Sequence, residues 1–206
     1  MADTPTQKSD ALDSPSLPMM SWSLVVAADS DEKFLGRVLE VFKAIYAQHF
    51  SDDLWIVNHD LPIDVRALRH TDPWRIGLVL TPWMLARLFS PLRDPNIELP
   101  EGWHASQRLG ASYTVIGPPI AFSVLGQQQS AYLNYHPQLG HYLIQPLVQS
   151  MQQYASAEAV YEAWSEAIRR RDETIRARQL ECKWQNEVSR REFFTRLRSR
   201  HDPEDN

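Results

Sequence analysis

The sequence predicts an α+β protein: a mainly antiparallel sheet of about five strands, helices packed on one side, and a long charged C-terminal helix. Three observations carry this expectation. Apolar residues recur at helical spacing in an early block, alternate through the middle, and return to helical spacing near the end. Turn-forming residues separate the alternating segments, as expected of strands joined by hairpins. The terminal block is so dense in charge that only part of it can lie on a core. With 206 residues, 43% of them apolar, the chain can bury one core and little more.

Residues 1–21 are rich in Ser, Pro, Thr and Asp and poor in large apolar side chains, which predicts a disordered tail. Asp29 and Glu32 form a capping-box pattern, after which Phe34, Leu35, Val38, Val41, Phe42 and Tyr46 predict a helix to about Phe50. Asp64 to Leu68 and Trp74 to Leu80 read as two strands across the turn Thr71-Asp72-Pro73. Thr81-Pro82 has the form of a helix start, with threonine as cap and proline at the first position, so a short helix is expected from Pro82 to Phe89. Residues 91–105 contain three prolines and read as loop. Strand pattern resumes at Ser112 to Ile116, and a hairpin pairs Ile120 to Leu125 with Ala131 to Tyr135 across Gly126 to Ser130. Leu143 to Tyr154 has helical character, with Pro146 marking its start. A longer helix follows from about Ser156 to Glu187, presenting Val160, Tyr161, Trp164, Ala167, Ile168 and Ile175. The expected organisation is a tail to residue 21, one domain over 22–187, and a C-terminal tail over 188–206.

Composition removes several classes of function. Cys182 is the only cysteine, so paired-thiol redox chemistry within the chain and a zinc site built on several thiolates are excluded. No apolar run approaches the roughly 18 residues of a membrane span, and the start of the chain has acids and prolines where a secretory signal needs basic and then apolar residues. A cytoplasmic protein is expected. The net charge of -5 conceals an acidic body with a basic arm, because 11 of the 21 Arg and Lys fall within residues 168–200. Clustered arginines attract phosphates, yet no nucleic-acid fold motif accompanies them, so a nucleic-acid partner is not expected.

Catalytic signatures are missing as well. The sequence has no phosphate-cradling glycine loop, no Gly-x-Ser-x-Gly elbow and no His-Glu-x-x-His pair. His136 and His141 stand five apart around a proline, where ordinary polar roles outweigh a metal site. No catalytic residue, metal or cofactor is expected, and the chain reads as a binder rather than an enzyme.

The most distinctive stretch is Trp74-Arg75-Ile76-Gly77-Leu78-Val79-Leu80-Thr81-Pro82-Trp83-Met84-Leu85. It resembles the HybE family of nickel-iron hydrogenase assembly chaperones, in which a glycine-containing strand runs into Thr-Pro-Trp and an apolar pair. A second likeness is Ser189-Arg190-Arg191-Glu192-Phe193-Phe194, similar both to the family's Ser-Arg-Arg-x-Phe ending and to a twin-arginine export signal. As an export signal it stands at the wrong end of the chain and lacks a following apolar run. Ser189 and Glu192 also fit a capping box for a short docked helix.

The resemblance implies a chaperone of nickel-iron hydrogenase subunit precursors, their twin-arginine signal peptides included. The alternative is a structural or regulatory subunit retained in the mature redox complex. Candidate partner-binding residues are Trp74, Thr81, Pro82, Trp83, Met84, Arg190, Arg191, Phe193 and Phe194, since aromatic and Met side chains supply adaptable contact area. Core packing is the competing role for the tryptophans and Met84.

Overall fold

A computed structural model describes residues 21–53 and 55–198, with side chains through residue 178. The tail expected over residues 1–21 therefore lies almost wholly outside the described residues. Helix α1 spans Asp31–His49, capped by Ser30, whose hydroxyl accepts from the Lys33 amide at 3.3 Å. The cap is thus Ser30 and not Asp29. Asp29 instead receives Lys33 Nζ at 2.7 Å and Arg37 Nε at 2.8 Å, beside a first turn whose acids favour the helix dipole.

Six strands follow: β1 (Asp64–Thr71), β2 (Trp74–Thr81), β3 (Met84–Pro91), β4 (Pro119–Val124), β5 (Gln127–His136) and β6 (Gly140–Val148). They form one antiparallel sheet in the order β1-β2-β3-β6-β5-β4. The short helix α2 (Ala105–Arg108) lies in the long β3–β4 connection, and α3 (Ala157–Arg198) ends the described chain. The α+β class and antiparallel sheet are as the sequence predicts, with six strands in place of about five.

Two expected helices are strands. Pro82 to Phe89 is not helical: Pro82-Trp83 is a two-residue turn, and Met84 onward pairs back on β2, Leu80 opposite Leu85 and Ile76 opposite Phe89. Proline has the φ that the second position of a tight turn needs, as it has for a helix start, so the local signal serves both. Leu143 to Val148 is likewise strand, with Pro146 at a register shift in the β3–β6 ladder, where its missing N–H is tolerated. Ser112 to Ile116, expected as a strand, runs irregularly before Pro118-Pro119. The β4–β5 connection is two residues, Leu125-Gly126, both at positive φ as a primed hairpin turn requires.

Helices cover both faces of the sheet rather than one. The central strands β2 and β3 are buried along nearly their whole length, so both of their faces need cover. On one face Phe34, Val38, Val41, Phe42 and Ile45 of α1 pack on Val79, Ala86, Leu88 and Ile144. On the other, Ala157, Val160 and Trp164 of α3 meet Leu78, Leu80 and Leu85. The rest of that second face is closed by Trp22 and by Ile97, Leu99 and Trp103 of the β3–β4 connection.

Close approach of the N-terminal segment fixes one glycine. A Cβ on Gly140, φ +77°, would stand 2.1 Å from the Ser23 carbonyl oxygen. Beyond its packed first turns α3 continues without a break at Ser189, so the separate capped helix expected there is absent. The surrounding Gln, Glu, Arg, Lys and Leu favour helix strongly enough to carry it through the serine.

Candidate functional site

Trp74 is fully buried, edge-to-face with Trp22 at 5.8 Å, Phe122 at 5.3 Å and Phe89 at 6.2 Å. Thr81 is buried at the hairpin and closes it: its hydroxyl accepts from the Met84 amide at 3.0 Å and donates to the Met84 carbonyl at 2.9 Å. Trp83, 4% exposed, stacks on Phe50 at 4.2 Å and lies nearly parallel to Tyr46 at 6.3 Å and Phe42 at 6.4 Å. Met84 is buried in the same cluster. Trp83 and Met84, with Phe42, Tyr46 and Phe50, form one aromatic box between α1 and the sheet, whereas Trp74 lies in the core on the opposite face; none of Trp74, Thr81, Trp83 and Met84 presents more than a trace of surface.

What the box supports is exposed. The Pro82 carbonyl accepts from the Asn58 amide at 2.8 Å, and Phe50, stacked on Trp83, is the root of the loop 51–61. Asn58 Nδ2 donates to the carbonyls of Met151 at 3.0 Å and Tyr154 at 2.8 Å, and Gln152 Nε2 donates to the Val57 carbonyl, tying the loop to the segment that leads into α3. On the outer side Tyr46 donates its hydroxyl to His59 Nδ1 at 2.6 Å, and His59 Nε2 donates to the Asp53 carbonyl at 3.0 Å. Asp53 Oδ1 accepts from the amides of Ile56 and Trp55, and these hydrogen bonds hold its carboxyl below the usual range.

Residues 55–61 are held at these points, yet they project Trp55 at 91% exposure and Ile56 at 59%. Two adjacent large apolar side chains, one of them a tryptophan, held in water by a hydrogen-bonded backbone make a candidate contact surface, since aromatic side chains are frequent anchors of interfaces. The loop carries Asp52, Asp53 and Asp60 and no Lys or Arg, so its surroundings are acidic.

Sequence reasoning missed Trp55 and Ile56. Their available signal was an apolar pair inside the acidic, non-periodic run Ser51-Asp52-Asp53. Arg190, Arg191, Phe193 and Phe194 lie on the backbone of α3, but their side chains fall outside the described residues, so the motif and the loop are not brought together in any described contact.

Beside the C-terminal end of α1 a cavity of about 270 Å³ is lined by His49, Arg108, Tyr113, Tyr135 and His136. Burial pushes the Tyr113 hydroxyl up to about 12 and lowers His136, so both stay neutral near pH 7. His141 is spoken for: its Nδ1 accepts from the Ser23 amide at 2.7 Å and its Nε2 donates to the Trp103 carbonyl at 2.8 Å. Among the described residues no three His, Cys, Asp or Glu side chains gather to hold a metal ion.

Sheet, aromatic box and constrained apolar loop define an α+β scaffold that displays a surface. The sequence profile of the [NiFe]-hydrogenase assembly chaperone HybE family matches residues 33–196, and the chain belongs to that family. Among solved structures, the solution structure of HybE from Escherichia coli is similar, with 18% identity and a TM-score of 0.45 over 66% of this chain and 75% of that one. No curated protein matches. No helix among the described residues is long and apolar enough to cross a membrane.

Proposed function

We propose that the chain is a non-catalytic cytoplasmic chaperone that holds nickel-iron hydrogenase subunit precursors, through segments such as their twin-arginine signal peptides, before export or assembly. Family membership supplies the general role. The observation that supports a grip on such segments is the Trp55–Ile56 pair on a rigid loop bearing three aspartates, because a twin-arginine signal joins two cations to an apolar run. Apolar burial on Trp55 and Ile56 contributes affinity, and the carboxylates steer the approach of the arginines. Trp83, Thr81, Pro82 and Met84 act beneath this surface by fixing the loop, and Trp74 by filling the core behind it. The Arg190-Arg191 and Phe193-Phe194 motif serves as a second contact with the precursor.

Fluorescence anisotropy with a labelled synthetic twin-arginine signal peptide tests this reading. Trp55→Ala with Ile56→Ala is expected to weaken binding at least about tenfold, the scale of an interface anchor, while the melting temperature stays unchanged. Asp52→Asn with Asp60→Asn should lower affinity less and reduce its dependence on salt. Unchanged affinity in the Trp55/Ile56 variant would remove the loop from the binding surface.

A further inference from the structure

A groove of about 370 Å³ runs between α3 and the sheet face opposite α1, and three arginines converge on it. Arg87 comes from the middle of β3, half-buried, its guanidinium next to the Leu78 position on β2 and the Gln145 position on β6. Arg171 comes from α3, one and two turns beyond Ile168 and Trp164, which form the apolar wall.

Arg69 reaches the groove because of a bulge. Pairing of β1 with β2 shifts by one residue between Arg66, opposite Leu78, and Arg69, opposite Ile76, with Ala67 at φ +55° taking up the extra residue. Without the shift Leu68 would occupy the groove face and Arg69 the other. With it, Leu68 packs against the α1 core and Arg69 joins Ile76 and Leu78.

Among the described residues no acid lines the groove. Of the three arginines, Arg171 has a carboxylate of its own: its Nη2 and Nε donate to Asp172 Oδ1 at 3.1 and 3.3 Å. Arg87 donates only to a neutral group, Gln145 Oε1 at 3.0 Å, and Gln145 is held there by donating to the Ser130 carbonyl. Burial, and then the charges of Arg69 and Arg171, work against the Arg87 cation.

The contrast with the protein's other arginines is informative. Arg75, more deeply buried, is served by the carbonyls of Asp29 and Val26 and by the Asp31 carboxylate at 3.4 Å. Arg66 has both Asp64 and Glu158. At Arg66 and Arg75 the fold supplies a carboxylate; at Arg87 it supplies one neutral oxygen, Gln145 Oε1, and two neighbouring cations.

We infer that this groove binds a carboxylate-bearing segment of a partner polypeptide, with an Asp or Glu on Arg69, Arg87 and Arg171 and an adjoining apolar side chain on Trp164 and Ile168. Guanidinium forks match carboxylate geometry, and the apolar wall gives a neighbouring Leu or Phe a place that a bare anion would not use. This site is separate from the Trp55 loop and opposite to it in charge preference.

The test is fluorescence anisotropy of a labelled Glu-Glu-Leu-Phe-Glu peptide and its all-glutamine counterpart on the full chain, with inorganic pyrophosphate as competitor and thermal melting in parallel. The acidic peptide should bind at least about tenfold tighter than the neutral one, as expected for charge-assisted contacts. Arg87→Gln, and separately Arg69→Gln with Arg171→Gln on exposed positions, should each remove most of that preference. Arg87→Gln should melt no lower than the parent, because it removes a half-buried cation without a counter-charge. Equal binding of the two peptides, full competition by pyrophosphate at concentrations matching the peptide, or unchanged affinity in the exposed double variant would each overturn the proposal. So would a peptide-independent dimer that the arginine variants dissolve, since a second copy would then be the occupant.

Discussion

Replacing Trp83 by Ala should cost about 4 kcal/mol of folding stability. The indole is buried against Phe50, Tyr46 and Phe42. An aromatic side chain burying about 200 Å² at about 25 cal/mol per Å² gives about 5 kcal/mol as an upper value. Surface already hidden in the denatured chain reduces that by a fifth or so, which leaves it inside the range of about 3–5 kcal/mol measured for large-to-Ala changes in cores. Urea unfolding followed by circular dichroism measures it. For a slope of about 2 kcal/mol/M, the midpoint should fall by about 2 M with the slope unchanged. Trp83→Phe, which keeps a ring in the stack, should lose less than half as much. A loss under about 1 kcal/mol for the alanine variant would refute the claim that this side chain is the floor of the loop, and would return it to the role of a surface contact.

Thr81→Val removes both hydrogen bonds to Met84 while keeping the side-chain volume, and should cost about 1–3 kcal/mol, the scale of buried groups left unpaired. Faster hydrogen exchange at the Met84 amide would accompany it. Asn58→Ala loses the donors to Met151 and Tyr154 and should expose residues 51–61 to limited proteolysis well before global unfolding; a resistant loop would contradict the tie. Stability should also fall as pH drops below about 6.5. Burial lowers the pKa of His141, and its neutral Nε2–H form is the one that fits Ser23 and Trp103, so below the unfolded value the denatured chain gains a proton that the native one resists. His136 shifts in the same direction through burial. In His141→Gln the slope of stability between pH 6.5 and 5 should be shallower; an unchanged slope would assign it to other groups.

Helix α1 was legible because one face is solvent-exposed, which leaves a clear 3.6-residue period from Phe34 to Ile45. The β1–β2 and β4–β5 hairpins were legible through Asp72-Pro73 and Gly126. Strands β3 and β6 were not, because Met84-Leu85-Ala86 and Tyr142-Leu143-Ile144 are buried on both faces and lose the alternation that distinguishes a strand from a buried helix. The same burial explains why Trp83 and Met84 looked available for binding: a short amphipathic helix would have shown one side to water, whereas a central hairpin shows neither. Arg69 could not be placed on the groove, since strict alternation along β1 puts it on the other face and nothing in Arg66-Ala67-Leu68 signals the bulge at Ala67 that turns it there. Trp55 was passed over because isolated apolar residues in loops are common, and only the hydrogen bonds around Asp53 and His59 show that this one is held out.

The central claim is that the chain grips hydrogenase subunits only while they are unfinished. Co-purification of the tagged protein from cells lacking the subunit-processing protease, beside cells that contain it, tests this most directly. Unprocessed hydrogenase subunit should be recovered from the first and lost from the second, and the Trp55→Ala, Ile56→Ala variant should recover less from the first. Recovery of equal amounts of the mature, processed enzyme would contradict the account and make the protein a retained subunit of the finished complex.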